Sequence, residues 1–156
     1  MSLSGSPPRA IDPVIVTARV KRNIEDAFDL YTREVSSWWP LDRFSFGGDQ
    51  ALSLHFEPYV GGRFFERFRD GREHTTGRIL AWEPPRRFVY TWKHDDWSAD
   101  TEVEVRFVAE ADDVTRLEIE YRAWERLGEA GPDNRDGQAN GWPTVIACFA
   151  DYAGQA

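Results

Sequence analysis

Few groups in this chain can do chemistry, and Glu66 is the foremost. In the run Arg63-Phe64-Phe65-Glu66-Arg67-Phe68 it alternates with Phe64 and Phe68, so it shares a strand face with two aromatic rings. If that face is concave, a carboxylate points into an apolar cavity. Burial there favours the protonated form and makes Glu66 a candidate proton donor, base or ligand anchor. A salt bridge to an arginine of a neighbouring strand would make it structural instead. Arg63 follows Gly61-Gly62. It reads either as an anion anchor at a cavity mouth or as a solvated arginine after a turn whose glycines supply positive φ. Trp38 and Trp39 precede Pro40 and read as a lid over a ligand or as plain core.

The remaining chemistry is thin. His55, His74 and His94 have no second ligand at metal spacing. His94-Asp95-Asp96 is too local to wrap an ion, because consecutive extended residues diverge. Cys148 has no base nearby in sequence and reads as a buried, inert thiol. No serine sits in a G-x-S-x-G elbow and no G-x-x-x-x-G-K phosphate loop occurs. No metal and no cofactor is expected.

The elements that must position these groups follow from periodicity. Val14 to Val20 is a β-branched, mostly alternating strand. Asn23 is a helix cap, and Ile24, Ala27, Phe28, Tyr31 and Val35 follow helical spacing, which predicts one or two short helices up to Trp39. Six strand-like runs come next, split by turn signals such as Asp70-Gly71 and Asp112-Asp113. Val103, Val105 and Phe107 oppose Glu102, Glu104 and Arg106; Leu117, Ile119 and Tyr121 oppose Glu118, Glu120 and Arg122. Strict alternation implies one wet and one buried face, hence an antiparallel sheet with cross-strand ion pairs outside. Trp142, Val145, Ile146 and Phe149 then switch to helical spacing. Asn140 can cap this helix with Pro143 in its first turn, or the helix can run on from Asp133 with a kink. The terminal helix is the only long element able to cover the sheet, so the sheet must curl around it. Residues 1–12 read as a disordered start or a cloning remnant without an apolar signal-peptide core, and residues 13–156 as one domain.

The ordered set of motifs resembles the START-like, or SRPBCC, superfamily. Within it, the set is similar to the branch related to the C-terminal domain of the heat-shock-protein ATPase activators. The matching pieces are Ala27-Phe28, Trp38-Trp39-Pro40, Phe56-Glu57-Pro58, Gly61-Gly62-Arg63 with Glu66, Gly77-Arg78-Ile79, and the stretch from Trp82 to Trp92. Thr101-Glu102-Val103, Thr115-Arg116-Leu117 and Gly141-Trp142 complete it, over roughly residues 13 to 153. Tyr121 stands where the usual pattern often has histidine. The resemblance implies an α+β helix-grip fold: one curved antiparallel sheet of seven strands around a long C-terminal helix. It also implies a cavity between them. The expected wall comprises Phe56, Glu66, Ile79, Tyr90, Trp92 and Tyr121 from the sheet. Trp142 and Phe149 come from the helix, with Trp38 or Trp39 near the entrance.

Composition narrows the partners. A net charge of −8 repels phosphate backbones and argues against nucleic acid. No run of about 18 apolar residues is present to span a bilayer. A single cysteine fits a reducing cytoplasm. Aromatic residues make up 14% of the chain, enough to line a pocket as well as a core. The expectation is a cytoplasmic cavity protein that binds a small hydrophobic or amphipathic molecule. Two alternatives are a cyclase- or hydrolase-like enzyme using Glu66, and a co-chaperone-like module with a protein partner.

Overall fold

The computed structural model describes residues 10–155, so the expected irregular start lies outside them up to residue 9. Strand β1 (Val14–Val20) leads into α1 (Ile24–Thr32) and α2 (Val35–Trp38). Six strands follow: β2 (Ala51–Phe56), β3 (Arg63–Phe68), β4 (Glu73–Glu83), β5 (Arg87–Trp92), β6 (Thr101–Ala111) and β7 (Val114–Arg122). The 25-residue helix α3 (Gly131–Gln155) ends the chain. The sheet is antiparallel throughout, in the order β1-β7-β6-β5-β4-β3-β2. None of the described helices is long and apolar enough to cross a membrane.

Local sequence accounts for most boundaries. The Asn23 side chain accepts a hydrogen bond from the Asp26 amide at 2.8 Å and starts α1 as a side-chain cap. The hairpin β6–β7 pairs Val103 with Tyr121 and Val105 with Ile119, so the expected apolar sets share one face. All four are fully buried. On the opposite face Arg122 meets Glu102, Glu104 and Glu120, and Arg106 meets Glu118 and Glu120. Burial works against the charged form of Glu104, yet the Arg122 hydrogen bond and the neighbouring arginines hold its carboxyl below the ordinary glutamate range. At Gly77 an added Cβ would lie 1.7 Å from the Thr91 carbonyl oxygen, so only glycine lets β4 approach β5 there.

Two expectations need correction. Asn140 is not a cap: α3 begins at Gly131 and carries Pro143 in its interior. A 3-10 segment, Trp124–Ala130, precedes it, with Ala123 in the left-handed region at φ 73°. Arg135 donates to the carbonyls of Asp12 and Pro13 and ties the upstream half of the helix to the chain before β1. Cys148 is half-buried, because it faces away from the stripe formed by Val145, Ile146 and Phe149.

The core is mostly aromatic. Phe28 and Tyr31 of α1 pack on Phe88 and Phe107, and Tyr31 meets Phe149 of α3 edge-on at 5.0 Å. Phe149 is fully buried at the junction of α1, α2 and α3. Truncation to alanine there should therefore cost about 3–5 kcal/mol in chemical denaturation; a loss below about 1 kcal/mol would mean that the junction is not core. Lowering the pH should destabilise the fold through Glu104. Its depressed carboxyl contributes stability above the unfolded-state value, and that contribution fades as pH falls through the folded-state value. Glu104→Gln should flatten the acid limb of the stability profile.

Candidate functional site

A cavity of about 420 Å³ lies between the middle of α3 and the β2–β5 half of the sheet. Its floor is three mutually touching indoles. Trp39 lies 6.2 Å from Trp92 and 5.6 Å from Trp142, and Trp92 lies 6.0 Å from Trp142. Phe64 extends this wall, 5.4 Å from Trp92. The roof is the irregular segment between α2 and β2, which supplies Arg43, Phe44, Ser45 and Phe46. Gly141 of α3 gives the roof room: a Cβ there would stand 3.0 Å from the Phe44 ring.

Glu66 sits on this wall with 2% exposure. Its carboxylate accepts the backbone N–H of Phe46 and of Gly47, both at 2.9 Å. Neither sequence-based alternative describes it: it pairs with no arginine among the described residues, and it is not an unbound acid. It fastens the roof to β3. A second tie comes from Trp39, whose indole N–H donates to the Phe44 carbonyl at 2.7 Å. Phe46 itself is stacked on His74 at 4.1 Å and meets His94 at 5.0 Å. His94 in turn stacks on Trp97 at 4.3 Å. Burial lowers the pKa of His94, His74 adds to that, and Asp96 and Asp95 oppose it.

Of the residues expected on the wall, Trp39, Glu66, Trp92 and Trp142 line the cavity. The others belong to the filled part of the grip. Phe56 is stacked on Phe64 at 4.7 Å and meets Phe88 and Tyr90 edge-on. Trp38 is clamped between Tyr31 and Phe149, its indole N–H shared by the carbonyls of Leu30 and Tyr31. Tyr121 stacks on Trp124 at 4.3 Å and is hydrogen-bonded to Thr101. Ile79, Tyr90 and Phe149 are likewise buried outside the lining. The physical reason is volume: rings from α1, α2 and α3 occupy the concave surface that the resemblance assigns to ligand. Arg63 does not line the cavity either. It pairs with Glu57 at 3.2 Å and Glu73 at 2.8 Å, and its guanidinium lies 3.9 Å from the centre of the Phe65 ring. Sequence reading missed Phe44, Phe46, His94 and Gln138 as lining residues. The first two lie in a segment without periodicity; the doublet Phe44-x-Phe46 before Gly47-Gly48 was the available signal.

A seven-stranded curled sheet closed over a long C-terminal helix, with an aromatic cavity at one end, defines a START-like helix-grip protein. The model for the family "activator of Hsp90 ATPase homolog 1-like protein" matches residues 21–154, and the chain belongs to that family. Among solved structures it is 31% identical to the anthrahydroquino-γ-pyrone synthase Txn09, over 94% of this chain and 99% of that one, with a TM-score of 0.62. It is 27% identical to CalC, a self-sacrificing resistance protein from Micromonospora echinospora, over 91% and 94% of the two chains, with a TM-score of 0.67. The Mesorhizobium loti protein MLL2253 shares the fold at 20% identity over 89% and 94%, with a TM-score of 0.66. No match is found among curated proteins.

The Glu66 tie is testable. Glu66→Gln places an amide NH₂ against one of two backbone donors and removes the charge that strengthens both bonds. The loss should be about 1.5–3 kcal/mol, the range for hydrogen bonds to a charged group. Amide exchange at Phe46 and Gly47 should accelerate selectively. Unchanged protection at both amides would show that the roof is held by something else.

Proposed function

We propose that this protein binds a small apolar or amphipathic molecule in the cavity beneath the Phe44–Phe46 roof. The observation that carries the reading is the three-indole floor. Trp39, Trp92 and Trp142 offer flat apolar surface, while Glu66 and Gln138 add polar groups at the margin. A pocket of this kind suits a ligand that is mostly ring or chain with a few polar atoms. The cavity volume of about 420 Å³ falls within the size of small-molecule sites. The polarity of the outer sheet face, laced with arginine–glutamate pairs, favours binding inside rather than on that surface.

A cyclase-type activity is the second reading, supported by the 31% identity to a pyrone synthase along nearly the whole of both chains. Its acid–base candidates at the cavity are Glu66 and His94, beside the polar lining residues Arg43, Ser45, Thr76 and Gln138. Both Glu66 oxygens already accept backbone N–H groups, which favours a positioning role over proton transfer. The binding reading therefore stands first.

Native mass spectrometry of freshly purified protein should reveal a retained molecule or accept an added one at a 1:1 ratio. In parallel, Nile red should show saturable, blue-shifted emission. Trp142→Ala should weaken it about tenfold, equivalent to roughly 1.4 kcal/mol of lost apolar contact. Absence of saturable binding by both methods would refute the reading. A retained molecule whose mass changes on incubation with wild type would promote the cyclase reading.

A further inference from the structure

Trp92 and His94 stand two residues apart at the end of β5, on the cavity wall. Their rings are 6.4 Å apart with planes inclined by 29°. Each carries a buried nitrogen, Nε1 of Trp92 and Nε2 of His94, without any protein hydrogen-bond partner. Trp92 is only 8% exposed. The contrast with other indoles is plain. Trp38, Trp39, Trp124 and Trp142 each donate to a protein oxygen. The two floor indoles Trp39 and Trp142 thus have their N–H groups spent, and Trp92 keeps a free one. A buried donor left unpaired is costly, so such a group is retained where something else pairs with it.

We infer that Trp92 and His94 form a specificity pair that recognises a hydroxyl group on a planar aromatic ligand. This deepens the binding reading given above and rests on it. The ligand oxygen accepts from Trp92 Nε1–H, and its proton is donated to His94 Nε2. Burial keeps the imidazole neutral, and with its own proton on Nδ1 it presents Nε2 as an acceptor. The ring of the ligand lies against the indole floor. A donor and an acceptor on two lining rings whose centres are 6.4 Å apart complement a hydroxyl, which is both. The stack of His94 on Trp97 and its contact with Phe46 fix the imidazole orientation.

The sign of the preference separates this site from a merely greasy one. A purely apolar cavity favours naphthalene over 2-naphthol, because the buried hydroxyl loses its water partners. A paired hydroxyl reverses that order. Equilibrium dialysis of the wild-type protein against each compound should give 2-naphthol at least about fivefold tighter, the ratio worth roughly 1 kcal/mol. Trp92→Phe and His94→Phe keep the ring stacking and remove the polar nitrogens. Each should bring the ratio of 2-naphthol to naphthalene affinity down to about one or below, whatever the change in naphthalene affinity itself, with near-UV circular dichroism reporting that the fold is intact. Naphthalene binding as tightly as or more tightly than 2-naphthol to wild type would overturn the inference and leave the binding reading standing. So would a preference that survives in both variants. Failure of wild type to bind either compound would also overturn the inference, and the binding reading falls with it only where native mass spectrometry and Nile red fail as well. The wild-type comparison needs no variant to fold.

Discussion

One sheet with a single apolar concave face is too wide for one helix to cover, and that mismatch shapes this protein. Helix α3 lies against β1 and leaves the β2–β5 half of the sheet uncovered along part of its length. Phe28, Tyr31 and Trp38 of the short helices reach in and fill the middle of the gap. What remains is a cavity at one end, closed by an irregular segment. Aromatic side chains suit this role because each fills large volume with few rotatable bonds. The same rings that make the core solid where α1 and α2 cross it make the floor of the cavity where they do not.

An apolar interior holds polar groups only where they are paired, and the pairing here explains the roof. The segment between α2 and β2 has no sheet partner to satisfy its amides. Glu66 supplies one acceptor to each of two successive N–H groups, and Trp39 binds a carbonyl two residues earlier. A charged acceptor is stronger than a neutral one, which suits a tie that must hold a loop over a cavity. Trp92 and His94 break this rule of pairing, and they break it at the cavity wall. Tyr31 and Tyr90 also leave their hydroxyls unpaired, deep in the core, where burial pushes both phenols well above their ordinary range. The difference is place: Trp92 and His94 belong to the cavity lining, and Tyr31 and Tyr90 do not.

The fold was legible in the sequence because its signals are local. Period-two alternation from Thr101 to Tyr121 announced the hairpin, and the Asn23 cap announced α1. The terminal helix was readable from Trp142 onward. Its upstream half, from Asp133, was readable only as one of two alternatives, since Gly137, Gly141 and Pro143 weaken helical propensity; packing against the chain before β1 overrides that weakness. The site was half legible. Trp39, Glu66, Trp92 and Trp142 share a pattern of aromatic or acidic residues on inward faces, and the cavity brings them together. Phe56, Tyr90 and Tyr121 carry the same pattern, yet neighbouring rings fill the space before them. Whether an inward aromatic faces ligand or another ring depends on volumes supplied by distant elements, which no single run of sequence encodes.

The partner of Glu66 was hidden for a related reason. Strand alternation shows which face a carboxylate occupies, and composition shows that arginines are plentiful. The sheet's arginines, however, point to the opposite face, where they pair with Glu83, Glu102, Glu104, Glu118 and Glu120. An inward carboxylate therefore has to find its donors among groups that carry no side-chain signature. Backbone amides are such donors, and loops without periodicity expose them. The separation of charge to the convex face and of amide binding to the concave one leaves the interior free of full positive charge among the described residues. On the binding reading proposed above, such an interior selects ligands by shape and single hydrogen bonds, and Arg43 of the roof is the one arginine or lysine among the described lining residues.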